Sequence, residues 1–149
     1  MKKEDPFLIR EILWTSFSKT NEELFSSGID ISFSGSTTVA LLILNNKLWC
    51  ANVGDSRAIL VKFRHNQWRA YPLSTDHKPD LPGELSRITQ AGGRVEGSPN
   101  EIGVLVGPKR VWVKDGRYPG LAMSRSMGDK VAAQVGVISE PGIISILED

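Results

Sequence analysis

The chain has 149 residues, a formal net charge of +1, 40% apolar and 23% charged residues, and one cysteine. That length allows one domain with a real hydrophobic core, and the near-neutral charge gives no global reason to expect nucleic acid or an anionic membrane as partner. A single cysteine, Cys50, excludes an intrachain disulfide and suits a reducing compartment; within Leu48-Trp-Cys-Ala it reads as a small buried apolar side chain.

Residues 7–14 (Phe-Leu-Ile-Arg-Glu-Ile-Leu-Trp) are interrupted by Arg10 and Glu11, which rules out a signal-peptide core there. No transmembrane run, N-x-[ST] acceptor, lipidation signal or internal repeat is visible. The expectation is a soluble intracellular protein, cytoplasmic or nuclear. Residues 5–27 carry the pattern of an amphipathic helix, with Asp5 as N-cap, Pro6 in the first turn and Ile9, Leu13, Phe17 and Leu24 near one face; Gly28 suits its C-terminal end.

Residues 34–60 hold apolar runs separated only by turn residues. Residues 39–44 form an uninterrupted apolar run, expected to be a strand buried on both faces, and Asn45-Asn46 suits a tight hairpin. Residues 47–53, 58–63 and 68–73 continue the meander, with a polar turn at residues 64–67 where His65 reads as a solvated loop residue. The one carboxylate of residues 34–60 is Asp55, in Val53-Gly-Asp-Ser-Arg57. Two readings stand side by side: Gly-Asp-Ser is ordinary hairpin chemistry, and an acid at a strand end is also placed as metal ligands often are.

Residues 74–84 lead into a short helix at about 82–90, ended by Ala91-Gly-Gly. His77, beside Asp76, has no serine, cysteine or metal cluster at a recognisable spacing and reads as a hydrogen-bonded structural histidine. Residues 94–120, rich in glycine and proline, read as an irregular lobe or flap; its Lys109, Arg110, Lys114 and Arg117, interleaved with Trp112 and Tyr118, suit either a phosphorylated partner or a solvated loop pinned by aromatics. Residues 103–110 make a poor phosphate loop, because the glycine spacing is one residue short, Pro108 removes an amide donor and no serine or threonine follows the lysine. A helical or loose stretch runs to Gly136, and residues 143–147 read as a last strand, broken off by Glu148-Asp149.

Five motifs in order then carry a resemblance. Ser34-Gly-Ser-Thr, Ala51-Asn-Val-Gly-Asp-Ser-Arg-Ala, Leu73-Ser-Thr-Asp-His-Lys-Pro, Arg87-Ile-Thr-Gln-Ala-Gly-Gly-Arg-Val and Leu121-Ala-Met-Ser-Arg-Ser-Met-Gly-Asp together resemble the metal-dependent protein phosphatases of type 2C. Residues 110–114 with Pro119-Gly-Leu-Ala look like that family's flap in plants and protists. The resemblance implies an α+β fold, an α-β-β-α sandwich of two antiparallel sheets flanked by helices. It also implies a Mg²⁺ or Mn²⁺ cofactor whose bound water attacks phosphorus in phosphoserine or phosphothreonine, and a phosphoprotein substrate. Asp55 matches the aspartate of the family's Gly-Asp-Ser-Arg motif, which in several members holds an additional metal. Arg57, His77, Arg125 and Asp129 match family motifs and read as framework residues.

The departures bound the expectation. The family's Asp-Gly-His-Gly motif has no counterpart, since Asp115-Gly116 lies in the flap before Arg117, and the later Asp-Gly-x-Trp-Asp and Asp-Asn motifs would fall beyond Asp149. Residues 1–149 therefore read as one partial, incomplete phosphatase domain with Asp55 as its one metal-associated carboxylate, no placed catalytic residue and an unknown substrate-binding set. The isolated chain is expected to be inactive or nearly so, to bind metal weakly or not at all, and to offer open sheet edges for self-association. A noncatalytic interaction module that keeps the flap as a docking surface is the alternative, and a fragment that completes its site with another chain is a third reading.

Overall fold

A computed structural model describes residues 5–147. Its elements in order are α1 (Pro6–Ser26), β1 (Gly35–Ser36), β2 (Thr38–Leu44), β3 (Lys47–Val53), β4 (Ile59–Arg64), β5 (Gln67–Pro72), α2 (Pro82–Gln90), β6 (Arg94–Pro99), β7 (Leu105–Trp112), β8 (Pro119–Leu121), β9 (Met127–Gly128), α3 (Lys130–Ala133) and β10 (Gly142–Leu147). The break expected at Glu148-Asp149 lies outside the described residues.

The first helix begins where its cap chemistry dictates. Asp5 accepts a hydrogen bond from the Phe7 amide at 2.9 Å, satisfying one of the free N–H groups of the first turn. At the other end Ser27 is the cap and Gly28 follows with φ +76°, a left-handed conformation that glycine adopts without cost.

The central sheet runs β10-β3-β2, entirely antiparallel. The hairpin between β2 and β3 turns on Asn45 and Asn46, both with positive φ, as a two-residue turn matched to strand twist demands. The β4–β5 hairpin uses the same device at His65 and Asn66. Period-two alternation along β3 then feeds two separate clusters. Ala51 and Val53 pack with Phe17, Leu13, Leu24 and Met127 on the α1 side. Leu48 and Cys50 pack on the other side with Ala58, Leu60 and Leu73, across to β4 and β5. The layers are therefore helix, sheet, sheet, and Arg10 adds a tie by donating from Nη1 to the Ile143 carbonyl at 3.0 Å.

The strand buried on both faces is β3, whereas residues 39–44 were expected to be the buried strand. β2 is an edge strand, and Leu41 and Ile43 are 55% and 65% exposed. They share a face with Val39 and pair with the buried Cys50 and Leu48, but they lie on the outer strand, with no strand beyond β2 in this sheet. An apolar run identifies a strand with two apolar faces; its neighbours decide whether both are covered.

Residues 94–120 also depart from expectation. They form an ordered three-stranded antiparallel sheet, β6-β7-β8, in place of an irregular lobe. The glycines serve the strands: Gly97 lies at a bulge between Glu96 and Ser98, where a Cβ would meet the Val106 carbonyl oxygen at 2.6 Å, and Gly103 takes φ +81° in the connecting turn. Asn100 organises that turn by accepting from the Ile102 and Val104 amides at 3.2 and 2.9 Å. This sheet shares a third cluster with α2, α3 and the residues just after α3, built on Ile88, Val111, Ala132, Val135 and Val137. Residues 105–112 being strand, and not a loop opening a helix, also removes the phosphate-loop geometry that residues 103–110 superficially suggested.

Candidate functional site

Asp55 follows β3 by two residues, at the rim of the central sheet. Its position is set by backbone bonds on either side. The Gly54 amide donates to His77 Nδ1 at 3.1 Å, and the His77 amide donates back to the Gly54 carbonyl at 3.0 Å. Asn52, fully buried, donates from Nδ2 to the carbonyls of Gly54 and Thr75 at 3.1 and 3.0 Å. The two Gly54–His77 bonds and the Asn52–Thr75 bond staple the end of β3 to residues 75–77, so the side chains of both segments meet in fixed register.

Two ion pairs result. Lys78 Nζ meets Asp55 Oδ2, with the lysine side chain 44% and the aspartate side chain 25% exposed. Arg57 meets Asp76 through two parallel bonds of 2.9 Å from Nε and Nη2. That fork holds the Asp76 carboxyl below its usual value and raises Arg57 above its own. His77 is buried, and burial lowers its pKa, so the imidazole accepts the Gly54 amide as a neutral ring.

Glu84 is the acid that sequence reading missed. It lies in the first turn of α2, and its carboxylate receives Ser124 Oγ at 2.6 Å, Arg87 Nη2 at 2.7 Å and Arg125 Nη2 at 2.6 Å. Burial alone would raise its pKa, but the bonds from Arg87, Arg125 and Ser124 overcome that and hold it well below the ordinary carboxylate range. The two arginines continue outward, Arg87 Nε to the Gly136 carbonyl and Arg125 Nη1 to the Glu140 carbonyl, each at 2.8 Å. The signal available in the sequence was the Glu84–Arg87 spacing on a short helix.

Among the other motif residues, Asp129 is buried and left-handed at φ +45°; it accepts from Ser126 Oγ at 2.5 Å and donates its amide to the Ser34 carbonyl at 2.8 Å. The β1–β9 pairing that brings Ser34-Gly-Ser-Thr to Ser126-Met-Gly-Asp requires glycine at 35, where a Cβ would lie 2.1 Å from Asp129 Oδ2. Cys50 is buried, and burial pushes its thiol up. His65 is exposed in its turn. In the flap, Arg110 donates to the Gly120 carbonyl at 2.8 Å and Trp112 Nε1 to the Glu96 carbonyl at 3.1 Å, while Lys109, Lys114 and Arg117 stay exposed.

Hard divalent cations need several converging oxygens. Among the described residues no group of three His, Cys, Asp or Glu side chains is placed to hold a metal ion, and the Asp55 carboxylate is already met by an ammonium. The described residues by themselves do not fit a Mg²⁺ or Mn²⁺ centre.

Fold and rim together define an α+β domain of packed antiparallel sheets with a charged site where the sheet strands end. The family model for Protein phosphatase 2C matches residues 2–147. Two curated relatives are 39% identical: "Probable protein phosphatase 2C 35" of Arabidopsis thaliana, covering 96% of this chain, and "Probable protein phosphatase 2C 12" of Oryza sativa subsp. japonica, covering 91%. A serine-threonine phosphatase 2C from Toxoplasma gondii superposes over 95% of this chain with a TM-score of 0.82 at 24% identity, a likeness of fold. The chain belongs to the protein phosphatase 2C family. It spans 46% of the Arabidopsis relative, 34% of the rice relative and 47% of the Toxoplasma structure.

Proposed function

We propose that residues 1–149 form part of a protein serine/threonine phosphatase domain that hydrolyses phosphoserine and phosphothreonine in protein substrates, with Mg²⁺ or Mn²⁺ as cofactor of the complete domain. The observation that carries this reading is the family match along residues 2–147, together with the placement of Asp55 at the strand-end rim. Metal dependence is general to the family, and Asp55 is the carboxylate this chain contributes to it. No helix of the described residues is long and apolar enough to cross a membrane.

The 149-residue chain alone is inactive or nearly so in this reading, because one carboxylate cannot hold a pair of hydrated cations. Phosphate release from a phosphopeptide in the presence of Mn²⁺, measured on the purified chain beside an Asp55→Asn control, should stay at background. Robust Asp55-dependent turnover would overturn the inactivity. The phosphatase assignment has a separate test: the Asp-Gly-His-Gly and Asp-Gly-x-Trp-Asp motifs read in frame on either side of the coding sequence support it, and neither motif in frame moves the chain to a noncatalytic module. Self-association belongs to the same reading, since the β2 edge carries the exposed Leu41 and Ile43. Ile43→Lys should lower any dimer fraction in sedimentation velocity.

A further inference from the structure

The β4–β5 hairpin sorts its side chains by chemistry. Successive strand residues alternate faces, and cross-strand partners share one. One face carries Ile59 with Pro72, Val61 with Ala70 and Phe63 with Trp68; the other carries Leu60 with Tyr71, Lys62 with Arg69 and Arg64 with Gln67. Lys62 and Arg69 are therefore like charges directly opposite each other, an arrangement that is destabilising by itself and that an anion between them would relieve. Among the described residues no carboxylate is paired with either one. Residues 58–75 contain no aspartate or glutamate, so positive charge is concentrated here in a chain of net charge +1.

The same face is concave. Leu60, Lys62, Arg64, Tyr71, Leu73 and Ile146 line a cleft of about 290 Å³ that reaches from the hairpin to β10. Leu60, Leu73 and Ile146 give it an apolar floor continuous with the second core cluster, and the half-buried Lys62 gives it a cationic wall. That volume is at the lower limit of small-molecule sites and suits one or two inserted side chains of a peptide.

We propose that this cleft docks an acidic peptide segment of a partner protein. An apolar side chain of the segment enters over Leu60, Leu73 and Ile146, and neighbouring carboxylates meet Lys62 and Arg69. Charge complementarity selects this occupant. A bilayer fits the hairpin less well: Phe63 and Trp68 stack at 5.0 Å on the face opposite the cations, so a flat anionic surface that received the aromatics would turn Lys62 and Arg69 away from it. The inference goes beyond the phosphatase reading and does not depend on Asp55. Lys62 lies about 10 Å along β4 from Ile59, toward the turn at His65-Asn66 and away from the rim where Arg57 meets Asp76.

The test is fluorescence anisotropy of the purified chain with a fluorescein-labelled peptide that has a leucine beside a run of glutamates, and with its glutamine counterpart. The glutamate peptide should bind about tenfold more tightly than the glutamine one. Lys62→Glu places an acid opposite Arg69, a favourable cross-strand pair, so the variant should keep its fold by circular dichroism while losing that tenfold preference. Trp68→Ala, on the other face, should leave peptide binding unchanged. Equal affinity for the two peptides, or a preference that survives in Lys62→Glu, overturns the proposal. Co-sedimentation with phosphatidylserine vesicles that is lost in Trp68→Ala, without peptide binding, overturns it in favour of a membrane surface.

Discussion

Glu84 receives hydrogen bonds from Arg87, Arg125 and Ser124 with only 8% of its side chain exposed, whereas Asp55 meets Lys78 at an open rim. Both are acids paired with bases, yet the physics differs. At Glu84 the desolvation cost of burial is offset by several short charge-assisted bonds, and the guanidiniums are in turn held by backbone carbonyls of two other segments. At Asp55 the charges remain largely in water's reach, and little is lost when the partner changes. A buried, many-partnered acid fixes a fold, and a rim acid with a single half-exposed partner contributes little to it.

The comparison breaks most visibly at Glu84. Glu84→Ala would leave two partly buried guanidiniums without their anion, and removing one partner of such a network costs about 3–5 kcal/mol. Urea unfolding should register that loss as a lower midpoint at unchanged slope. The network also sets an acid dependence. Because the folded pKa of Glu84 is depressed below its unfolded value, its contribution is fully present above the unfolded pKa of about 4.5 and is lost as pH falls through the folded value. The parent chain should therefore lose stability steadily as pH falls below about 4.5, and Glu84→Gln should flatten that part of the profile. An unchanged slope in the glutamine variant would assign the acid sensitivity to other carboxylates.

Next in size is the staple beneath the rim. His77→Ala removes the acceptor of the Gly54 amide from a buried site, which costs about 1–3 kcal/mol. The sharper consequence is local. Hydrogen exchange at the Gly54 amide should accelerate more than exchange along β3, since the strand keeps its ladder to β2 and β10. Uniform acceleration over both would mean that His77 supports the whole sheet and not the rim.

Much of the fold was legible because it depends on neighbours in sequence. Pro82 and Ala91-Gly-Gly bracket α2 at the residues expected, Asp5 caps α1, and Asn45-Asn46 turns the first hairpin. The misread parts depend on partners far along the chain. Nothing in residues 39–44 reveals that β10 will pair on the far side of β3 and leave β2 at the edge. Glycines in residues 94–120 signal breaks, but at a bulge or a strand turn they allow the sheet to form. The site divided in the same way. Asp55 stood out by its strand-end position, while Lys78, 23 residues later, and Ser124 and Arg125, 40 and 41 residues after Glu84, become partners only when the segments converge.

The smallest expected effect is the most discriminating one. Lys78→Met removes the ammonium from Asp55 but leaves the carboxylate a quarter exposed, able to take water in place of its partner. Its unfolding free energy should therefore change by less than about 1 kcal/mol, in either direction, at low salt. Raising the ionic strength should shrink the difference further, because screening acts on exposed pairs and leaves the Glu84 network almost untouched. A loss of several kcal/mol would mean that Lys78 braces the rim as Arg125 braces α2. Thermal denaturation of the two variants side by side, Glu84→Ala and Lys78→Met, in low and high salt, thus decides whether the two acids differ in kind or only in degree.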